Sequence, residues 1–252
     1  MSATWLIARH DLRRMAVSAW PWALAAATLA LLAYYYLLSL DGFLQLAPKL
    51  AGHADAPGVT DLVAVPVLST LANLFLLLIP LLGMRAIAGE RRAHSLVLLL
   101  GAGIGDAPIV LGKWLALWLY GLALIALALA MPLVLAAGTA LDTGKLAAAA
   151  IGLALQAGAL AALAVYASSL SDQPAFAAAI AVALNLLLTV VDAGARLQGV
   201  SNGLINYLAL PTHLEPFFRG IVASVDALYF ALLALLALGL ATRRLGALRS
   251  LG

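Results

Sequence analysis

Six apolar runs laid almost end to end constrain this chain more than anything else in it: Ala19–Leu40, Leu62–Met84, Trp114–Ala137, Leu146–Leu170, Ala175–Val191 and Ile221–Ala241. A hydrocarbon core ~30 Å thick takes roughly 20 apolar residues of helix to cross, because backbone polar groups in lipid must pair within their own segment. Five runs reach that length, and Ala175–Val191 sits at its lower limit. A buried helix of a soluble protein reaches such hydrophobicity once, rarely six times. The reading is an all-α membrane protein with six transmembrane helices, in a single domain over residues 1–252. Composition agrees: 65% of residues are hydrophobic, 10% are charged and the mean hydropathy is +1.08.

Charge decides which way the spans run. Arg9, Arg13, Arg14, Arg85, Arg91, Arg92, Lys113, Arg243, Arg244 and Arg249 fall on one side, ten of the fourteen Lys and Arg. Lys49, Lys145, Arg196 and Arg219 fall on the other. The positive-inside rule then puts both termini in the cytoplasm, in a multi-pass protein of the bacterial inner membrane. The net charge of +3 does not point to nucleic acid, because the basic residues flank spans and form no patch with interleaved aromatics. The absence of cysteine excludes a disulfide framework, a thiolate metal site and a cysteine nucleophile. The first apolar run is too long for a cleaved signal peptide and ends in Leu-Ser-Leu-Asp, which predicts a retained anchor.

Between the spans, residues 3–17 place Trp5, Ala8, Leu12 and Met15 at helical spacing with Arg9, Arg13 and Arg14 opposite, an amphipathic interfacial helix. Residues 41–61 read as an external loop. Residues 85–113 are the longest cytoplasmic connection. Asn202–Phe218 is apolar yet interrupted by Pro211 and Pro216, too broken to span and too apolar for a free loop. It is expected to re-enter the outer leaflet before the last span, covered by protein. No inverted repeat of the kind common in secondary carriers is visible.

No G-x-x-x-x-G-K-[ST] phosphate loop is present, since Gly112-Lys113-Trp114 lacks both the earlier glycine and the hydroxyl residue. H-E-x-x-H and G-x-S-x-G are absent, and His10, His53, His94 and His213 are scattered. No catalytic residue, metal site or cofactor is expected. Gly101-Ala-Gly103-Ile-Gly105 imitates a dinucleotide fingerprint but has no preceding strand. Asp106 after it imitates an intramembrane aspartyl protease string without a second aspartate. A glycine-relaxed turn between helices is the better reading.

The most specific text is Met84-Arg-Ala-Ile-Ala-Gly-Glu90-Arg-Arg-Ala-His-Ser-Leu-Val-Leu-Leu-Leu, then Gly-Ala-Gly-Ile-Gly-Asp-Ala-Pro-Ile-Val-Leu-Gly-Lys113. It resembles the segment between spans two and three in permeases of type-2 ATP-binding-cassette exporters: a Glu with basic neighbours, a leucine run, a turn, and Ile-Val-x-Gly-Lys. Glu90, Arg91, Arg92, Ser95, Leu96, Leu98–Leu100, Ile109, Val110, Gly112 and Lys113 match. His94 stands where glycine is usual, Val97 at an often acidic position, and Gly103 where proline is usual. The ending His213-Leu-Glu-Pro-Phe-Phe-Arg-Gly-Ile-Val with Asp226-Ala-Leu-Tyr-Phe looks like the gliding-motility-type branch, near the copper-site maturation permeases of denitrifiers.

The resemblance implies a non-enzymatic half-transporter that pairs with a second copy or a homologue and docks two separate ATPase subunits, with membrane lipids and possible external accessory proteins as further partners. It implies a cytoplasmic coupling helix over residues 86–100, with Glu90, Arg91, Arg92, His94, Ser95 and Leu96 meeting the ATPase. Glu90 is then expected to sit in a partly exposed charge pair worth only ~0.2 to 1 kcal/mol, so that Glu90→Lys spares folding and breaks coupling. The polar stripes Pro66, Ser69, Asn73, Pro80 and Ala178, Ala181, Asn185, Thr189, Asp192 are packing or hydrogen-bonding faces. The resemblance puts Ser69, Asn73, Asn185 and Thr189 at the dimer seam and translocation path. The rival readings are a non-transporting anchor or mechanical subunit of a larger complex, and an ion-coupled carrier. No acidic or basic residue lies near the middle of a span, which counts against the carrier.

Overall fold

The structure is a computed structural model that describes residues 2–50, 57–94, 101, 103–197 and 207–250. In chain order its helices are α1 (Ala3–Val17), α2 (Ala19–Leu50), α3 (Val65–Gly83, entered through a π-helical turn at Thr60–Ala64), α4 (Ala88–Arg92), α5 (Asp106–Leu133), α6 (Thr143–Leu170), α7 (Pro174–Leu197), α8 (Leu210–Phe218) and α9 (Ser224–Ser250). Among the described residues, six helical segments are long and apolar enough to cross a membrane: Ala19–Lys49, Thr60–Arg92, Asp106–Ala136, Thr143–Leu170, Pro174–Val191 and Ser224–Arg249. The protein is all-α, with six candidate membrane-spanning helices.

α6 is the centre of the bundle, packed against α3, α5, α7, α8 and α9. Its most apolar stretch is 78% buried, against 17% for that of α2. Small residues explain the difference, because Ala and Gly let neighbouring backbones approach closely where lipid supplies no hydrophobic drive between helices. Gly83 of α3 meets α6 so tightly that a Cβ there would lie 2.6 Å from the Ala164 Cβ. A Cβ on Gly152 would lie 2.6 Å from the Phe217 Cβ of α8. On the α5 side, Trp114 and Trp118 stack at 5.2 Å. Their indole N–H groups donate to Gly158 O (2.8 Å) and Ala154 O (2.9 Å) of α6.

Both ends of the chain lie at one end of this bundle. α1 crosses the start of α5, where a Cβ on Gly112 would collide with Ile7, and Arg249 of α9 pairs with Asp106 at 3.0 Å. At the opposite end Lys145 pairs with Asp61 at 2.6 Å, and the Asp142 N–H donates to Thr60 Oγ1 at 2.9 Å.

Several helices outrun their apolar runs. α2 continues through residues 41–50, where a loop was expected, with the Gln45 amide donating to Asp41 one turn earlier at 2.8 Å. Polar side chains on an exposed final stretch do not stop a helix. α5 starts at Asp106, after the extended Gly105, and so carries Lys113 ahead of the apolar run at Trp114. α8 is a continuous helix in which Pro211 occupies the first turn and Pro216 lies inside. A first-turn proline loses only an N–H that had no helical partner. In α1 the buried face is Ile7, Ala8 and Asp11, and Trp5, on the apolar face expected at the membrane interface, is 45% exposed.

Candidate coupling site

α3 ends at Gly83 and the chain turns sharply before α4. A helix start leaves its first N–H groups without partners, and a helix end its last carbonyls. One hydroxyl serves both: Ser168 of α6 accepts from the N–H groups of Ile87 and Ala88, each at 3.0 Å, and donates to Met84 O at 3.0 Å. Arg91 reaches from α4 to Asp172, in the turn between α6 and α7, and donates to Ser169 O at 3.3 Å. The elbow between α3 and α4 is therefore tied to the end of α6.

Its second anchor is a buried lysine. Lys113, on the second turn of α5, is 1% exposed. Its ammonium lies 2.5 Å from Glu90 Oε1 of α4 and 3.4 Å from Asp11 Oδ2 of α1. Those carboxylate side chains are 15% and 8% exposed. A buried ammonium is tolerable only when paired, and here two carboxylates from two other elements converge on it. Lys113 joins α1, α4 and α5 at a single point. Glu90 is itself partly exposed, as expected, but its partner is the buried Lys113 rather than the neighbouring arginines, so the pair is more deeply set than a surface pair. Glu90→Lys would set a second ammonium against Lys113 and strike at folding.

What α4 presents outward is Arg92, Ala93 and His94, with Arg85 exposed beside them. His94 has φ 55°, in the left-handed region that costs an ordinary side chain and suits glycine. It occupies the position just past the helix end, with its N–H on Arg91 O at 3.0 Å while the Ala93 N–H bonds Gly89 O at 3.1 Å, a left-handed C-terminal cap. That geometry explains why glycine is the usual residue there. Gly103 also takes a positive φ, 71°, in keeping with the glycine-relaxed turn read from the sequence. Ser95 and Leu96, with the remainder of the expected helix to residue 100, lie outside the described residues.

The polar residues of spans two and five separate. Asn185 of α7 is fully buried and donates from Nδ2 to Leu76 O of α3 at 3.0 Å. The reason lies four residues on: Pro80 has no N–H to give that carbonyl, so the amide of another helix takes its place. Gln156 of α6 similarly reaches Ala72 O at 3.2 Å. Thr189 donates back to Asn185 O at 2.8 Å, and Ser69 to Pro66 O at 2.9 Å. Asn73, in contrast, is exposed on the outer surface of α3. At the opposite end of the bundle His213 of α8 is clasped, Nδ1 at 2.7 Å from Asp226 of α9 and Nε2 at 2.8 Å from Tyr207 O. Its ring stacks on Tyr229 at 4.1 Å.

The Lys113 junction was missed by sequence reasoning, although Glu90 and Lys113 both belonged to the matching motif. The signal available was two charges of opposite sign bracketing a link between two spans.

The sequence matches the ABC-2 family transporter protein over residues 5–221. No curated protein matches it. The match begins in α1 and runs past α8, so it takes in the elbow, the Lys113 junction and five of the six candidate spans. Membrane subunits of this family lack an ATPase site of their own. Six membrane-length helices among the described residues, α6 at their centre, and a match over well more than half the length agree: the chain is a multi-pass membrane subunit belonging to the ABC-2 transporter family.

Proposed function

We propose that this subunit is the permease half of an ATP-driven exporter in the bacterial inner membrane. In this reading it pairs with a second copy or a homologue, and docks two ATP-binding-cassette ATPase subunits at the end of the bundle that holds both termini. The observation that carries it is the construction of α4. Arg91, Glu90 and the Ser168 hydroxyl fasten this short helix to α5, α6 and α1, while Arg92, Ala93 and His94 face outward. A push on that outer face is delivered to three helices at once. Ten of fourteen basic residues flank the same end, which orients it toward the cytoplasm.

The dimer seam is assigned to the α3 face that carries Asn73 and Leu77, both exposed. A primary amide facing lipid near mid-span is unfavourable, and a second permease supplies the missing polar partner. Ser69, one turn before Asn73, belongs to the same stripe, and Asn185 and Thr189 support α3 from behind. Within the family the branch is the gliding-motility type, on the strength of His213, Arg219-Gly220, Asp226 and Tyr229-Phe230.

Co-expression with an ATP-binding-cassette ATPase from the same genome tests the reading. The expected product is a complex of two permease and two ATPase subunits whose hydrolysis depends on both. ATP hydrolysis by this chain alone, or its failure to retain any such ATPase, overturns it.

A further inference from the structure

At the end of the bundle that holds the termini, all four acids are taken. Asp11 and Glu90 face Lys113, Asp172 holds Arg91, and Asp106 holds Arg249. Arg9, Arg13, Arg14, Arg85, Arg92, Arg243 and Arg244 are left without an acidic partner among the described residues. Two of them, Arg14 from the last turn of α1 and Arg85 from the elbow after α3, line one cavity of about 270 Å³. Its remaining wall is largely apolar, with Met15, Trp20, Leu81 and Leu82 among its residues.

We infer that this cavity binds an anionic phospholipid of the leaflet on that side, its phosphate between Arg14 and Arg85 and its acyl chains against α2 and α3. Three features specify this occupant. First, the site lies at the membrane boundary, where α2 begins and where Trp20 and Trp22 are exposed, as interfacial tryptophans are. Second, two guanidiniums without a counter-charge among the described residues present donors suited to a phosphate. Third, a soluble anion has no use for a leucine wall, whereas a lipid needs one. The inference requires only that the protein is embedded in a membrane, and stands apart from ATPase docking.

The test uses the full-length protein, delipidated in detergent, with native mass spectrometry reading retained lipid across a titration. The probes are phosphatidylglycerol, zwitterionic phosphatidylcholine and water-soluble glycerol 3-phosphate. Phosphatidylglycerol is expected to bind saturably, and Arg14→Gln with Arg85→Gln to weaken it by ~30-fold, at about fivefold per basic residue. Arg14→Lys with Arg85→Lys keeps the charge and most of the binding. Arg243→Gln with Arg244→Gln removes the same charge at the end of α9 and leaves binding unchanged. Any of four results overturns the site: undiminished phosphatidylglycerol binding by the double glutamine variant, equal loss from the α9 variant, equal loss from the lysine variant, or displacement of the lipid by glycerol 3-phosphate at comparable concentration, the mark of a soluble-anion pocket.

Discussion

Replacing Lys113 with methionine keeps an apolar chain of similar length and removes the charge on which α1, α4 and α5 converge. At an effective dielectric near 20, a pair at 2.5 Å contributes roughly 6–7 kcal/mol and one at 3.4 Å about 5 kcal/mol, before desolvation is subtracted. Burying the ammonium costs several kcal/mol, so the net value of the intact cluster is small. Breaking it is another matter. Lys113→Met leaves the buried Asp11 and the largely buried Glu90 without their shared cation, and loss of one partner from a buried pair typically costs ~3–5 kcal/mol. The assay is unfolding of the purified protein in mixed micelles of rising denaturing-detergent fraction. The single variant is expected to lose about that amount. Combining Lys113→Met with Glu90→Gln and Asp11→Asn removes every charge together, and should return stability to within ~1 kcal/mol of the native protein. A single variant as stable as the native chain, or a triple variant no better than the single, would refute the buried junction.

Three further outcomes follow from local geometry. His94→Gly relieves a left-handed side chain at the end of α4 and should stabilise the protein by ~1 kcal/mol in the same assay; a destabilised variant would show that the His94 ring makes a contact worth more than the strain. Asn185→Leu orphans the Leu76 carbonyl and should cost ~1–3 kcal/mol, most of which Pro80→Ala restores by returning the missing N–H; additive effects in that double-mutant cycle would sink the explanation. Gly152→Ala drives a methyl into Phe217 and should cost ~1–3 kcal/mol, with Phe217→Leu lessening the penalty; a neutral Gly152→Ala would mean that α8 docks on α6 less closely than described.

The spans were readable because length and hydropathy act locally: each apolar run reports its own need to leave water. Their ends were less readable because ends depend on partners. Lys113 stopped the third run in the sequence, yet α5 passes through it, since Glu90 lies 23 and Asp11 102 residues away along the chain, and no local pattern announces that they meet. Asn185 read as one polar residue in a stripe. Its role follows from Pro80 in another helix, and only the packing of α3 against α7 makes that connection. The unusual residue at 94 was visible as a departure from a motif. The positive φ that gives the departure its meaning belongs to the turn, not to the letter.

The central proposal is that an ATPase subunit docks on the outward face of α4 and the turn after it. A photo-crosslinking amino acid at Ala93 or His94 in the assembled complex, set beside the same residue at Thr139 at the opposite end of the bundle, tests it most directly. The account predicts light-dependent crosslinks to the ATPase from positions 93 and 94 and none from position 139. Crosslinks from 139, or none from 93 and 94 in a complex that still hydrolyses ATP, would contradict it.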